Sequence, residues 1–141
     1  MDATLLVQAV EHGEVAVRAF REDDYPQDRA RADFALGHTL VLLGSMRKDS
    51  ETLERAVKVL SEPIPYLQRT HDLQRIGVFQ NELARAWYTA WQIAHRPDDA
   101  TSALRAFDEA ILAFKDYPEL AEVTKRNRAE VAQEFAKAQS Q

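Results

Sequence analysis

Cysteine is absent from this chain of 141 residues, which excludes disulfide staples, zinc–thiolate sites, iron–sulfur clusters and a thiol nucleophile. Glycine and proline are scarce, at four and five residues, so the chain is neither collagen-like nor a Pro/Gly-rich low-complexity segment. No apolar run reaches the roughly 18 residues of a membrane span. The opening Met1-Asp2-Ala3-Thr4 also lacks the basic start of a secretory signal. A cytoplasmic protein without membrane contact is the expectation. Positive charge is in deficit, 18 Lys and Arg against 23 Asp and Glu, a net charge of −5. Affinity for phosphate backbones needs the opposite balance, so no nucleic-acid partner is expected. Among His12, His38, His71 and His95 no two stand three or four residues apart, the spacing that puts two imidazoles on one metal from a helix. Nor is there a Gly-rich phosphate loop or a Gly-x-Ser-x-Gly elbow. The expectation is a non-enzyme with no metal and no cofactor.

What is present is 45% hydrophobic and 29% charged residues, enough for one domain over 1–141, since folding at this size buries about two thirds of the unfolded surface. Apolar residues recur every three to four positions, which predicts an all-α chain of about six helices. The first runs from about Ala3 to Glu22 with Leu6, Val10, Gly13, Val17 and Phe20 on one face. The second follows Pro26, carries Phe34, Leu36, Leu40 and Leu43, and is expected to stop near Gly44 in a left-handed turn. Ser50 is the expected cap of the third, with Leu53, Val57 and Leu60; Pro63 and Pro65 prevent its continuation. The fourth begins near Asp72 and carries Ile76, Phe79, Leu83, Trp87, Ala90 and Ala94 up to Pro97. The fifth has Ala100, Ala103, Leu104, Phe107, Ala110, Ile111 and Phe114; the sixth, from Pro118 towards Ala138, has a sparser stripe of Leu120, Val123, Val131 and Phe135.

Two junctions look alike. Ala19-Phe20-Arg21 leads into Asp24-Tyr25-Pro26-Gln27, and Ala113-Phe114-Lys115 into Asp116-Tyr117-Pro118-Glu119. Asp followed three residues later by Gln or Glu predicts a capping box at each. An intermediate junction near Asp72 would give a period of about 46 residues, the signature of stacked helical hairpins. Acidic pairs such as Asp23-Asp24 and Asp98-Asp99 fall at helix starts, where they suit the dipole. Small residues at Gly37, Ala56, Ala84 and Ala110 would let paired helices approach to about 8–10 Å.

The stretch Arg21-Glu22-Asp23-Asp24-Tyr25-Pro26-Gln27-Asp28, with Leu36-Gly37, Leu43-Gly44 and Leu53-Glu54-Arg55-Ala56-Val57, resembles the long bacterial variety of tetratricopeptide repeat. A second unit is similar at Gln80-Asn81-Glu82-Leu83-Ala84 and Phe107-Asp108-Glu109-Ala110-Ile111, although Ala84 stands where that family often has glycine. The resemblance implies a half repeat over 1–24, repeats over 25–70 and 71–116, and a capping helix over 117–141. The reading is a right-handed stack of antiparallel helical hairpins, a TPR-like α-solenoid. On that pattern the concave face would carry Arg31, Phe34, His38 and Val41 from the first unit and Asn81, Arg85 and Tyr88 from the second.

The expected function is non-enzymatic binding of a protein or peptide in that groove, with Arg31 and Arg85 pairing a ligand carboxylate. Two other readings stay open. One is a chaperone or assembly subunit for a single client, as a homodimer through the terminal helices. The other is a small-molecule sensor or enzyme in the helical core near Trp87, Trp91 and His95. Tyr88 is the expected surface anchor of the aromatic cluster, with Trp87 and Trp91 in the core. Lys125-Arg126 and Arg128 read as solvation of the last helix.

Overall fold

Apolar residues at helical spacing, with proline confined to helix starts, organise the chain into helices, and among the described residues there is no strand. The computed structural model describes residues 2–22 and 24–141, Glu22 by its backbone only; Met1 and the Asp23 member of the first acidic pair lie outside them. The helices are α1 (Ala3–Glu22), α2 (Pro26–Arg47), α3 (Ser50–Ser61), α4 (Ile64–Arg69), α5 (Leu73–Ala94), α6 (Pro97–Ala113) and α7 (Pro118–Gln139). The six longer ones match the six expected. The added α4 is a correction: Pro63 and Pro65 end α3 but sit in the opening of a new short helix, where a missing amide proton costs nothing. Helices α2, α5 and α7 start at Pro26, Leu73 and Pro118, within one residue of the 46-residue spacing.

Packing follows chain order. Helix α2 packs on α1, α3 and α5; α5 also meets α3, α4 and α6, and α7 lies on α6. One core runs from Leu6, Val10 and Val17 through Leu40, Leu53, Leu60 and Phe79 to Phe107, Val131 and Phe135. A small satellite of Ala110, Phe114 and Ala121 joins α6 to α7.

Glycine supplies close contact rather than turns. A β-carbon placed on Gly37 would stand 2.4 Å from Leu60, one on Gly44 2.7 Å from Leu53, and one on Gly77 2.3 Å from Phe114. Ala56, Ala84 and Ala110 are fully buried, as expected of contact positions. The left-handed residues at helix ends are instead Asp24, Lys48, His71 and His95. The expected stop at Gly44 is therefore corrected: α2 continues one further turn to Arg47, and Lys48 takes the left-handed conformation.

Two more expectations change at the helix starts. The N-caps of α2 and α7 are Tyr25 and Tyr117, neither with a side-chain cap hydrogen bond, so the capping boxes at Asp24 and Asp116 do not form. Each junction instead ties the tyrosine back to the preceding phenylalanine. Tyr25 N–H donates to the Phe20 carbonyl at 3.0 Å and Tyr117 N–H to that of Phe114 at 2.8 Å. Both rings also meet edge to face. The likeness of the two junctions is thus an aromatic clip. Helix α3 is capped by Asp49 rather than Ser50, its carboxylate accepting from Glu51 N–H at 3.2 Å, and α5 by Asp72, accepting from Arg75 N–H at 3.3 Å. On α7 the buried stripe is Ala121, Thr124, Val131 and Phe135, while Leu120 and Val123 are exposed, one position out of register with the expected stripe.

Candidate functional site

Helices α2 and α5 meet along a seam built by residues of like register. Phe34 packs edge to face on Phe79 with ring centroids 5.3 Å apart, and the His38 ring lies parallel to that of Phe34 at 6.3 Å. One turn on, His38 Nδ1 and Glu82 Oε1 are 2.8 Å apart, a hydrogen bond between the two helices. Glu82 is only 7% exposed, so this contact satisfies a carboxylate that burial would otherwise penalise.

Of the seven expected site residues His38 is held in the seam contact with Glu82, and the other six fall into three settings. Arg31 and Phe34 join Ala30, Arg75, Val78 and Phe79 around a mainly apolar cleft of about 190 Å³. Asn81, Arg85 and Tyr88 face a second cleft of about 360 Å³ with Glu82, Phe107 and the α7 residues Asn127, Glu130, Val131 and Glu134. Val41 belongs to neither. At 2% exposure it is core, because α2 is enclosed by three helices, and its place on a ligand-facing surface is corrected.

Helix α7 engages two of the three second-unit residues. Asn81 Nδ2 donates to Thr124 Oγ1 at 3.1 Å, and Thr124 in turn donates to the Leu120 carbonyl at 2.8 Å. The Tyr88 hydroxyl donates to Glu134; burial first, and that bond second, push its pKa up to about 12. Tyr88 is half-buried rather than a free anchor, and stacks beside Trp91, whose ring meets Phe135 at 4.6 Å. Arg85 remains exposed, and among the described residues neither Arg85 nor Arg31 is in an ion pair. Arg128 does more than solvate α7: its guanidinium pairs with Asp108 of α6 at 2.6 Å.

The three residues of the core-ligand reading do not converge. Trp87 lines a cleft with Val57 of α3 and Arg105 of α6, whereas Trp91 faces Phe135 and His95 ends α5 exposed. Among the described residues no group of three or more His, Asp or Glu side chains is placed to hold a metal ion. No described helix is long and apolar enough to cross a membrane.

Sequence reasoning missed Asp33. It is 1% exposed, neither carboxylate oxygen is hydrogen-bonded, and Arg29 Nε stands 3.6 Å away. Burial, the largest influence, raises its pKa from 3.8 to about 6 against the opposing pull of Arg29. The signal was available: Asp33 is in register with Ala30, Gly37 and Leu40, an acid on the apolar stripe. Glu82, one turn from Phe79 and Ala86, carries the same mark.

No protein-family model, curated protein or solved structure matches this chain.

Proposed function

We propose that the chain is a non-enzymatic protein-interaction module of the stacked-hairpin kind, binding an extended or helical peptide along the α2–α5 seam. The serial packing, the three helix starts near a 46-residue spacing, and the contact of α2 with α5 support a TPR-like stack. The observation that carries the binding reading is the apolar cleft of Phe34, Val78 and Phe79 with the exposed Arg31 in its lining. Such a cleft takes one apolar anchor, while Arg31, and Arg85 further along α5, offer planar forks to acidic side chains of the same peptide. The preferred partner segment is apolar and acidic.

A photo-crosslinking residue at Val78, exposed on this face, should capture a protein partner in the native cell, whereas one at the exposed Leu112 of α6 should not. Arg31→Ala with Arg85→Ala should reduce capture at Val78 about tenfold, the effect of losing one to two charge-assisted contacts. Equal capture from both positions, or capture indifferent to both substitutions, overturns the reading. The alternative of a homodimeric assembly subunit draws on the exposed Tyr117, Leu120 and Val123 of α7. It requires a dimer in sedimentation equilibrium that Leu120→Glu converts to monomer.

A further inference from the structure

The cleft between α5 and α7, about 360 Å³ and so within the size range of small-ligand sites, holds charges that the fold does not balance. Glu82 of α5 and Glu130 and Glu134 of α7 line it against a single cation, Arg85, which leaves negative charge in excess by two. Acids that bridge helices elsewhere are compensated: Glu14 pairs with Arg55, Glu62 with Arg21 and Arg29, and Asp108 with Arg128. Here Glu134 accepts from the Tyr88 hydroxyl, while the exposed Glu130 is in no ion pair among the described residues. Glu130 and Glu134 stand one helical turn apart, where like charges repel.

Glu82 is the decisive member, because it is nine-tenths buried. Its Oε1 is taken by His38, which approaches from α2 and is no part of the cleft lining. Its Oε2 makes no hydrogen bond and, unlike the oxygens of Asp33, is not sealed from solvent. A carboxylate oxygen that has lost most of its hydration and gained no donor is costly to the fold, and a cationic donor entering the cleft removes that cost.

The spread of the acids decides what kind of cation fits. Among the described residues no three acids converge on a point where a metal ion would sit. The carboxylates stand instead on two facing helices, with Phe107 and Val131, each less than a tenth exposed, forming apolar wall beside them. A short hydrocarbon chain with an ammonium at each end matches that arrangement. Alkylammonium groups are charged at neutral pH and bring three N–H donors each. Two of them equal the excess of negative charge.

We propose that the α5–α7 cleft is a binding site for an aliphatic diamine, one ammonium donating to Glu82 Oε2 and the other to Glu130, with the methylenes against Phe107 and Val131. The site lies between α5 and α7 rather than along the α2–α5 seam and does not rest on the peptide-binding reading.

The test is titration of the ¹⁵N-labelled protein with 1,4-diaminobutane at neutral pH and low salt, followed by amide chemical shifts. A guest of this size reaches a Kd on the order of 1 mM. Saturable shifts centred on Glu82, Phe107 and Glu130 are expected, weakening as salt is raised, and none with 1,4-butanediol, which has the chain without the charges. Butylamine, with one ammonium, should bind about tenfold more weakly. Glu130→Gln, a change at an exposed position, should weaken diaminobutane binding about tenfold, and Arg85→Gln, which removes a like charge, should strengthen it. Equal shifts from butanediol, no saturation, indifference to Glu130→Gln, or shifts of the same size at the exposed Glu51 and Glu54 of α3 overturn the site. Tighter binding of Nα-acetyllysine methylamide than of diaminobutane would assign the cleft to a lysine side chain of a partner and overturn the diamine reading.

Discussion

Single atoms decide two properties of this protein. At Gly37 and Gly77 an added methyl group would overlap Leu60 and Phe114 at 2.4 and 2.3 Å. Gly37→Ala and Gly77→Ala should each lose about 1–3 kcal/mol in urea unfolding, the overpacking cost exceeding the helix propensity that alanine brings. At Gly13 the corresponding approach to Leu36 is 3.2 Å, which a small side-chain shift relieves. Gly13→Ala should stay within about 1 kcal/mol of the parent. Asp33 sets a pH dependence. Its carboxyl is lifted from 3.8 to about 6, so the folded state holds the proton more tightly than the unfolded chain. The associated stability is fully present below pH 3.8 and is lost as pH rises through about 6. Relative to the parent, Asp33→Asn should gain up to about 3 kcal/mol between pH 4 and pH 7, measured as the change in the difference between their urea curves. A constant difference across that range would contradict the assignment.

The helix ends follow a division of labour opposite to the usual one, with glycine inside helices and side-chain-bearing residues in the left-handed positions. Lys48 at φ 52° ends α2 and is exposed, so Lys48→Gly should raise stability by about 1 kcal/mol in thermal melts. The starts differ from one another. Asp72→Ala should cost about 1 kcal/mol through its lost bond to Arg75 N–H. Asp116→Ala should cost a few tenths at most, because Tyr117 and not Asp116 occupies the cap of α7. The Phe20–Tyr25 and Phe114–Tyr117 clips hold those junctions where a capping box was expected.

Serial packing has a consequence for the molecule as a whole. Helix α7 is held on by the Phe135 contact with Trp91, by Thr124 with Asn81, by Tyr88 with Glu134 and by Arg128 with Asp108. A chain in which each unit meets its neighbours loses stability locally rather than all at once. Phe135→Ala should remove about 3 kcal/mol of protection from α7 in hydrogen exchange and leave Leu40, Ala56 and Leu60 of α2 and α3 as protected as before. Uniform loss along the chain would instead describe one closed cooperative globule. Intact protection in α2 and α3 would count for the stack.

The six longer helices, their order, their spacing and the contact roles of Gly37, Ala56, Ala84 and Ala110 were legible in the residues alone, whereas the short α4 was not. Local periodicity, proline and small side chains act within a few positions of the chain. The candidate seam was legible in part: Arg31, Phe34, His38 and Arg85 could be placed on helix faces, because register is a local property. That Val41 is enclosed, that α7 engages Asn81 and Tyr88, and that Asp33 is buried without a hydrogen bond, with Arg29 Nε 3.6 Å away, depended on which helix covers which face. Burial and hydrogen-bond partners are set by residues distant in the chain and brought into contact, 43 positions apart for Asn81 and Thr124 and 46 for Tyr88 and Glu134, and only the tertiary structure decides them.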